Sequence, residues 1–293
     1  YSDLNNVVED MAVDAGFNRY LEREFGFSCT RCSGNHYYVL ANPGQDVTIT
    51  TDPDYYDGPL NERAYTIPAE DLGYPKAERS YKAVNLMLER AWDNHWLLNA
   101  SYTWSQLQGN YEGWVQSDNG QEHASVTSQF DAVGLTDGSY GDLPNDRRHQ
   151  LKVYGAYQLT DSLTIGANFR YQTGRPINAL SYHPNDETAQ DYDALSFYIN
   201  DQLAPRGSMG RTEDVMSLDV SASYRFELGG SELILTADVF NVLDADGVTE
   251  GEERLDDEDK TLNPYFPAPN ENYGLATNWQ TPRYVRFSVS YEF

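Results

Sequence analysis

Apolar and polar side chains alternate strictly over the last eleven residues, Arg283 to Phe293. Val285, Phe287, Val289, Tyr291 and Phe293 share one side, and Tyr284, Arg286, Ser288, Ser290 and Glu292 share the other. Successive residues of a strand point to opposite faces, so this segment predicts a strand with one apolar and one polar face. The same period recurs upstream. Leu218, Val220, Ala222, Tyr224 and Phe226 oppose Asp219, Ser221, Ser223 and Arg225. Leu163 to Gln172, Gln150 to Tyr157 and Trp96 to Ser105 repeat the pattern, and Tyr81 to Arg90 and Ser231 to Asn241 follow it less cleanly. Each run is about ten residues, the length a tilted strand needs to cross a bilayer.

The spacing between runs alternates as well. Trp92 to His95, Leu159 to Ser162 and Glu227 to Ser231 are short and rich in Asp, Asn, Gly and Ser, as tight turns require. Gln106 to Asp146, Gly174 to Glu213 and Val242 to Pro282 are long. Transmembrane barrels connect their strands in this way, with short periplasmic turns and long extracellular loops. The fold expected is therefore all-β: an antiparallel transmembrane β-barrel wall of about seven long strands, with its apolar face toward lipid. The competing fold is a soluble β-sandwich binding module, which also alternates but buries its apolar face against a second sheet.

Residues 80–293 then read as barrel strands with long outer loops. Residues 1–79 read as an extracellular loop region following a strand that ends near Tyr1. Pro43, Pro53, Pro59, Pro68 and Pro75 break that region, leaving room for a short helix near Val7 to Leu21 and a hairpin near Tyr37 to Thr50. An odd strand count implies a partial barrel, because bacterial single-chain barrels close with even numbers. The export signal that a barrel requires is expected upstream of Tyr1.

Composition agrees with this picture. No run of eighteen apolar residues exists, and the mean hydropathy is −0.66. Barrel strands spend only alternate residues on lipid, so low hydropathy suits them. The 23 tyrosines suit aromatic girdles at both membrane interfaces. A net charge of −26 argues against nucleic acid as a partner, since phosphate binding needs a basic surface. The chain has two cysteines, Cys29 and Cys32. Without a second ligand pair they read as a small disulfide loop in an oxidising compartment rather than a zinc or redox site.

Several segments carry a family likeness. Leu143-Pro-Asn-Asp-Arg-Arg-His-Gln-Leu151 enters a strand and Tyr171-Gln-Thr-Gly-Arg-Pro-Ile177 leaves one. Asp238-Val-Phe-Asn-Val-Leu-Asp244 lies on the penultimate strand, and Pro282 to Phe293 closes the chain. In order and spacing the chain resembles the C-terminal barrel part of a TonB-dependent outer-membrane receptor, of the Oar-like subfamily with a carboxypeptidase-regulatory-like domain. The resemblance implies a 22-stranded barrel in the Gram-negative outer membrane, an N-terminal plug, coupling to the TonB complex through that missing part, and import of a large or scarce nutrient. It also implies that the barrel-insertion machinery reads Val285, Phe287, Val289, Tyr291 and Phe293 as a membrane-insertion signal. A passive porin or a surface-binding adhesin barrel is the alternative function.

No catalytic motif stands out. Gly-x-Ser-x-Gly and His-Glu-x-x-His are absent, and the five histidines are scattered over turns, loops and one strand entrance. A non-enzymatic protein that needs no cofactor is expected. Lys152, Arg170, Arg225 and Arg286, with Asp219, Asp238, Glu89 and Glu292, belong to the polar face and predict an ion network along the lumen wall, the competing reading being a charged channel lining that guides substrate. Asp244, Asp246 and Glu250 open an acidic stretch with the Asp-x-Asp-Gly start of a calcium loop, which makes them candidate calcium ligands. The full twelve-residue pattern does not follow, so a solvated acidic loop is the competing reading.

Overall fold

The computed structural model describes residues 1–4, 6–29, 38–51, 63–93, 95–117, 127–191, 194–258 and 267–293. Its main feature is one antiparallel sheet of eight sequential strands: β1 (Ser2–Leu4), β2 (Arg79–Arg90), β3 (Trp96–Gly109), β4 (His149–Gln158), β5 (Leu163–Gln172), β6 (Val215–Leu228), β7 (Ser231–Phe240) and β8 (Tyr284–Glu292). A two-residue strand, Gly141–Asp142, adds to the end of β3. Every strand pairs with its chain neighbours, so the sheet is a plain meander with β1 and β8 at its two edges. It forms part of a barrel wall.

The register lines up the apolar positions predicted by alternation. Leu88, Ala100, Val153, Phe169 and Leu218 form one row across five strands. Tyr157, Ile165, Ala222, Ala237 and Phe287 form another. Directly opposed residues share a face, so one side of the whole sheet is apolar. Nothing covers that side among the described residues. Leu107, at the upper end of β3, is the one wall residue among the buried apolar side chains, whereas Phe287 and Val289 are 80% and 70% exposed. A sandwich would bury these rows under a second sheet; here they are bare, as a lipid-facing wall demands.

Short connections (91–95, 159–162 and 229–230) sit at one end of the sheet, and long ones (5–78, 110–148, 173–214 and 241–283) at the other. The long ones build a cap with its own core. Helix α1 (Asp14–Phe25) presents Phe17 and Leu21, four residues apart, to the strand pair Val47–Thr50 and Ala64–Ile67. Met11, Val13, Ile49, Ile67, Leu72 and Tyr74 complete the cluster. Gly16 lets α1 approach helix α2 (Ala69–Leu72), because a Cβ there would sit 2.9 Å from the Leu72 backbone. The core also takes Tyr111 and Phe130 from the connection after β3, so this body does not stop at residue 79.

Two local expectations differ from the structure. The helix runs from Asp14 to Phe25 rather than Val7 to Leu21, and Glu9–Ala12 before it is a strand. Tyr38–Ala41 and Val47–Thr50 do not form a hairpin with each other. The first pairs with Glu9–Ala12 and the second with Ala64–Ile67, which lets Met11 and Val47 enter the core from separate ribbons.

A partly buried carboxylate is expected to make this cap pH-sensitive. Burial, reinforced by the neighbouring Asp10 and Glu9, pushes the Asp131 carboxyl up to about 7 from an ordinary value of 3.8. The folded cap then binds the proton more tightly than the unfolded chain. Its stabilising contribution is complete below the ordinary value and is lost as pH rises through about 7. The Ala12 amide donates to the Asp131 backbone oxygen at 3.3 Å and reports on this junction. Its hydrogen-exchange protection should fall between about pH 4 and about pH 8, and Asp131→Asn should flatten that fall. An identical slope in the variant would assign the pH dependence elsewhere.

Candidate functional site

The polar face of the wall and the rim above it gather most of the charged side chains that sequence patterning singles out. On the face, Arg286 grips one Asp238 oxygen with Nε at 3.0 Å and Nη2 at 2.9 Å, from directly opposed positions. Arg225 reaches Glu232 at 3.4 Å, and Arg170 lies 3.6 Å from Asp219. Ser223 and Thr236, also opposed, share a 2.8 Å hydrogen bond. Partly solvated pairs of this kind are each worth about 0–1 kcal/mol, and they favour one register over its neighbours. Lys152 and Glu89 line the same face without an ion partner among the described residues.

The rim shows why the signature segments have their residues. In the 143–151 segment, Asp146 has a fully buried side chain. It accepts the Leu107 amide of β3 at 2.6 Å and pairs with Arg211 at 2.5 Å and Arg148 at 3.3 Å. Arg211 also reaches Asp142 at 2.9 Å. One carboxylate thus ties the top of β3, the entry to β4 and the next long connection together. In the 171–177 segment, Gly174 passes so close to Thr212 that a Cβ would fall 1.9 Å from its carbonyl oxygen. Arg175 beside it forms a buried pair with Glu253 at 2.5 Å. Asn178 donates to the same carboxylate from its backbone at 3.0 Å and its side chain at 2.7 Å. In the 238–244 segment, Asn241 adopts a left-handed φ of 49° and donates to the Ala245 and Thr281 carbonyls. These residues are missed by a search for catalytic or ligand motifs, because their partners lie tens of residues away. Recurrence of the segments in a family is the one signal the sequence offers.

The other candidates fare differently. Asp244 pairs with Arg283 at 2.9 Å, while Glu250 faces Asn278 and lies 3.8 Å from Arg175. Among the described residues no three His, Cys, Asp or Glu side chains gather to hold a metal, so Asp244, Asp246 and Glu250 are not brought together as a calcium loop would need. Asp244 and Glu250 take their ion partners from distant segments. Cys29 is disulfide-bonded, and Cys32 lies outside the described residues. Val285, Phe287, Val289 and Tyr291 point from the apolar side of edge strand β8, and Phe293 follows fully exposed. His183 is buried, with Nε2 3.2 Å from Asp137 and Nδ1 accepting the Asp186 amide at 2.8 Å. It fastens two long connections, and among the described residues no nucleophile other than the Tyr198 hydroxyl stands beside it. His36 and His123 lie outside the described residues.

An apolar sheet face left bare and long connections confined to one end place the chain among outer-membrane barrels, and residues 78–226 match the family described as "Putative outer membrane beta-barrel porin, MtrB/PioB". The chain belongs to that outer-membrane β-barrel family. Its localisation is the outer membrane. The whole chain also aligns, at 27% identity, with 26% of the TonB-dependent transporter Oar of Myxococcus xanthus, in keeping with the Oar-like signature segments. The chain thus spans about a quarter of that relative's length. Among solved structures, the ferric-catecholate import receptor Fiu of E. coli K12 is similar over 75% of this chain and 22% of its own, with 16% identity and a TM-score of 0.40. The pyoverdine-bound FpvA of P. aeruginosa is similar over 75% and 20%, with 15% identity and a TM-score of 0.41. The curated relative is a transporter rather than an enzyme.

Proposed function

We propose that this barrel segment belongs to a TonB-dependent importer that carries a large or scarce nutrient across the outer membrane. The alignment of the entire chain, cap included, with a TonB-dependent transporter carries this reading. In it, the strands of the sheet supply lipid-facing wall, and the long connections, 5–78 among them, supply extracellular structure. The TonB complex acts through a plug encoded upstream, and the nutrient meets the cap first. The match to a porin family favours a second reading, passive diffusion through an unplugged barrel. Two measurements separate them. The gene upstream of Tyr1 should encode a plug and a TonB box, and the full-length protein should be electrically silent in a planar bilayer. A full gene lacking the plug, with steady open-channel conductance, would make this a porin.

The terminal strand is proposed as the insertion signal. Strand addition pairs an exposed edge through its backbone while alternate side chains fill pockets, and β8 is an edge strand of the described sheet, with Val285, Phe287, Val289 and Tyr291 alternating toward Phe293. Deleting Phe293 from the full-length protein should lower the amount of folded, heat-modifiable barrel in outer-membrane fractions while leaving synthesis unchanged. Wild-type amounts of folded barrel would reduce Phe293 to a lipid-facing aromatic.

A further inference from the structure

On the polar face, Lys152 of β4 stands directly opposite Arg170 of β5 in the antiparallel register. Like charges so placed destabilise a strand pair. The arrangement is conspicuous in a chain with 20 Lys and Arg against 46 Asp and Glu, where carboxylates could have been placed opposite either cation. Elsewhere on this face the arginines are neutralised, Arg286 by Asp238 and Arg225 by Glu232. Lys152 has no ion partner among the described residues. Arg170 pairs with Asp219 at 3.6 Å, the loosest of the three contacts, with its side chain as exposed as that of Arg286.

Space accompanies the charge. A cleft of about 390 Å³, lined in part by Met87, Glu89, Ser101 and Tyr154, includes both cations. A second cleft of about 360 Å³ toward the rim, bounded by Gln150, Gln172, Ser217 and the Asp219 carboxylate, includes them again. Lys152 and Arg170 therefore stand where two clefts meet, each of the size that holds a small ligand. The Ser101 hydroxyl lies in the same cross-strand row, as does that of Ser217, which donates to Asp219 at 3.2 Å.

We propose that Lys152 and Arg170 form an oxyanion site on the polar face, taking a solute that bears a single carboxylate or phosphate group. A bound anion relieves the repulsion between the two cations and gains charge-assisted hydrogen bonds from both. Glu89 at one end of the cleft disfavours polyanions. This rests on the import reading in that it names the chemical class of solute the polar face would handle, but binding itself needs no TonB.

Folded full-length protein in detergent is to be dialysed to equilibrium against labelled inorganic phosphate and, separately, labelled acetate, at constant ionic strength held by sodium chloride. Saturable binding of at least one is expected, weakened about tenfold or more by Lys152→Gln and by Arg170→Gln. Lys152→Arg should retain it, and Arg225→Gln should leave it unchanged. The comparison of phosphate with acetate identifies which oxyanion the site prefers. No saturable binding in the wild type, or binding untouched by Lys152→Gln, would overturn the proposal and leave the pair to be neutralised by the protein's remaining length. Should a variant fail to fold, the wild type alone decides. The preferred anion should raise its heat-modification temperature beyond sodium chloride of equal ionic strength, and equal rises would overturn the site. Absent binding with TonB-dependent uptake intact sinks only this site; gradient-independent uptake with binding intact sinks only the import reading.

Discussion

Asp146→Ala is expected to cost about 3–5 kcal/mol, the scale for removing one partner of a buried ion pair. The carboxylate is fully buried, and its loss strands the Leu107 amide and two guanidiniums, Arg211 and Arg148, that it holds together. Arg148 and Arg211 retain Asp142, so the damage should centre on the β3 rim rather than the whole network. Asp146→Asn keeps an acceptor for the Leu107 amide but removes the charge, and should fall between alanine and wild type. The readout is the temperature at which the full-length barrel loses its fast-migrating, folded form on unheated gels. Asp93→Ala provides the contrast. Its pair with Arg90 is exposed at a turn, where such pairs contribute about 0–1 kcal/mol. Equal effects of the two substitutions would show that Asp146 is an ordinary rim charge.

Phe17→Ala should be as costly, about 3–5 kcal/mol, but local. Phe17 is wholly buried in the cap, against Tyr65 at 5.2 Å between ring centroids and alongside Leu21 and Leu72. None of those partners belongs to the wall, so the cap should open while the barrel stays folded. Protease added to intact cells should cut within residues 1–78 of the variant far faster than in the wild type, with heat-modifiability retained. Loss of the folded barrel itself would mean that cap and wall unfold as one unit.

The wall was legible from sequence because its information is local. Leu163–Gln172 is the predicted run, and β2, β3, β4 and β6 extend theirs by a few residues. Period-two alternation over about ten residues needs no knowledge of the partner strand. The cap was not legible for the opposite reason. Its strands are four residues long, too short for periodicity to speak, and its core joins Met11 to Phe130. Prolines between these pieces suggest loops, although Pro68 opens α2 with an extended backbone and Ala69 follows it into the helix. The rim behaves likewise. Asp146 sits in a recognisable segment, but its burial depends on Arg211, 65 positions onward. The calcium reading shows the converse. Asp244 and Asp246 look suitable for calcium locally, but Asp244 also meets Arg283, 39 residues away, which no local pattern shows.

The meander also dictates an order of assembly. Each wall strand meets only its chain neighbours, so the three hairpins with short turns can pair first, and the pairings across the long connections, with larger loops to close, follow. Cap contacts such as Thr127 with Glu9, separated by 118 residues, become reachable only after the strands between them have aligned. A one-residue slip in any hairpin would turn its apolar row toward the polar side and shift the attached connection at the top. The cap can then close only over a correctly registered sheet, which makes it a late checkpoint on the strands beneath. In pulse-labelled refolding, amides of β4 and β5 should gain protection before that of Ala12, and the reverse order would remove the checkpoint.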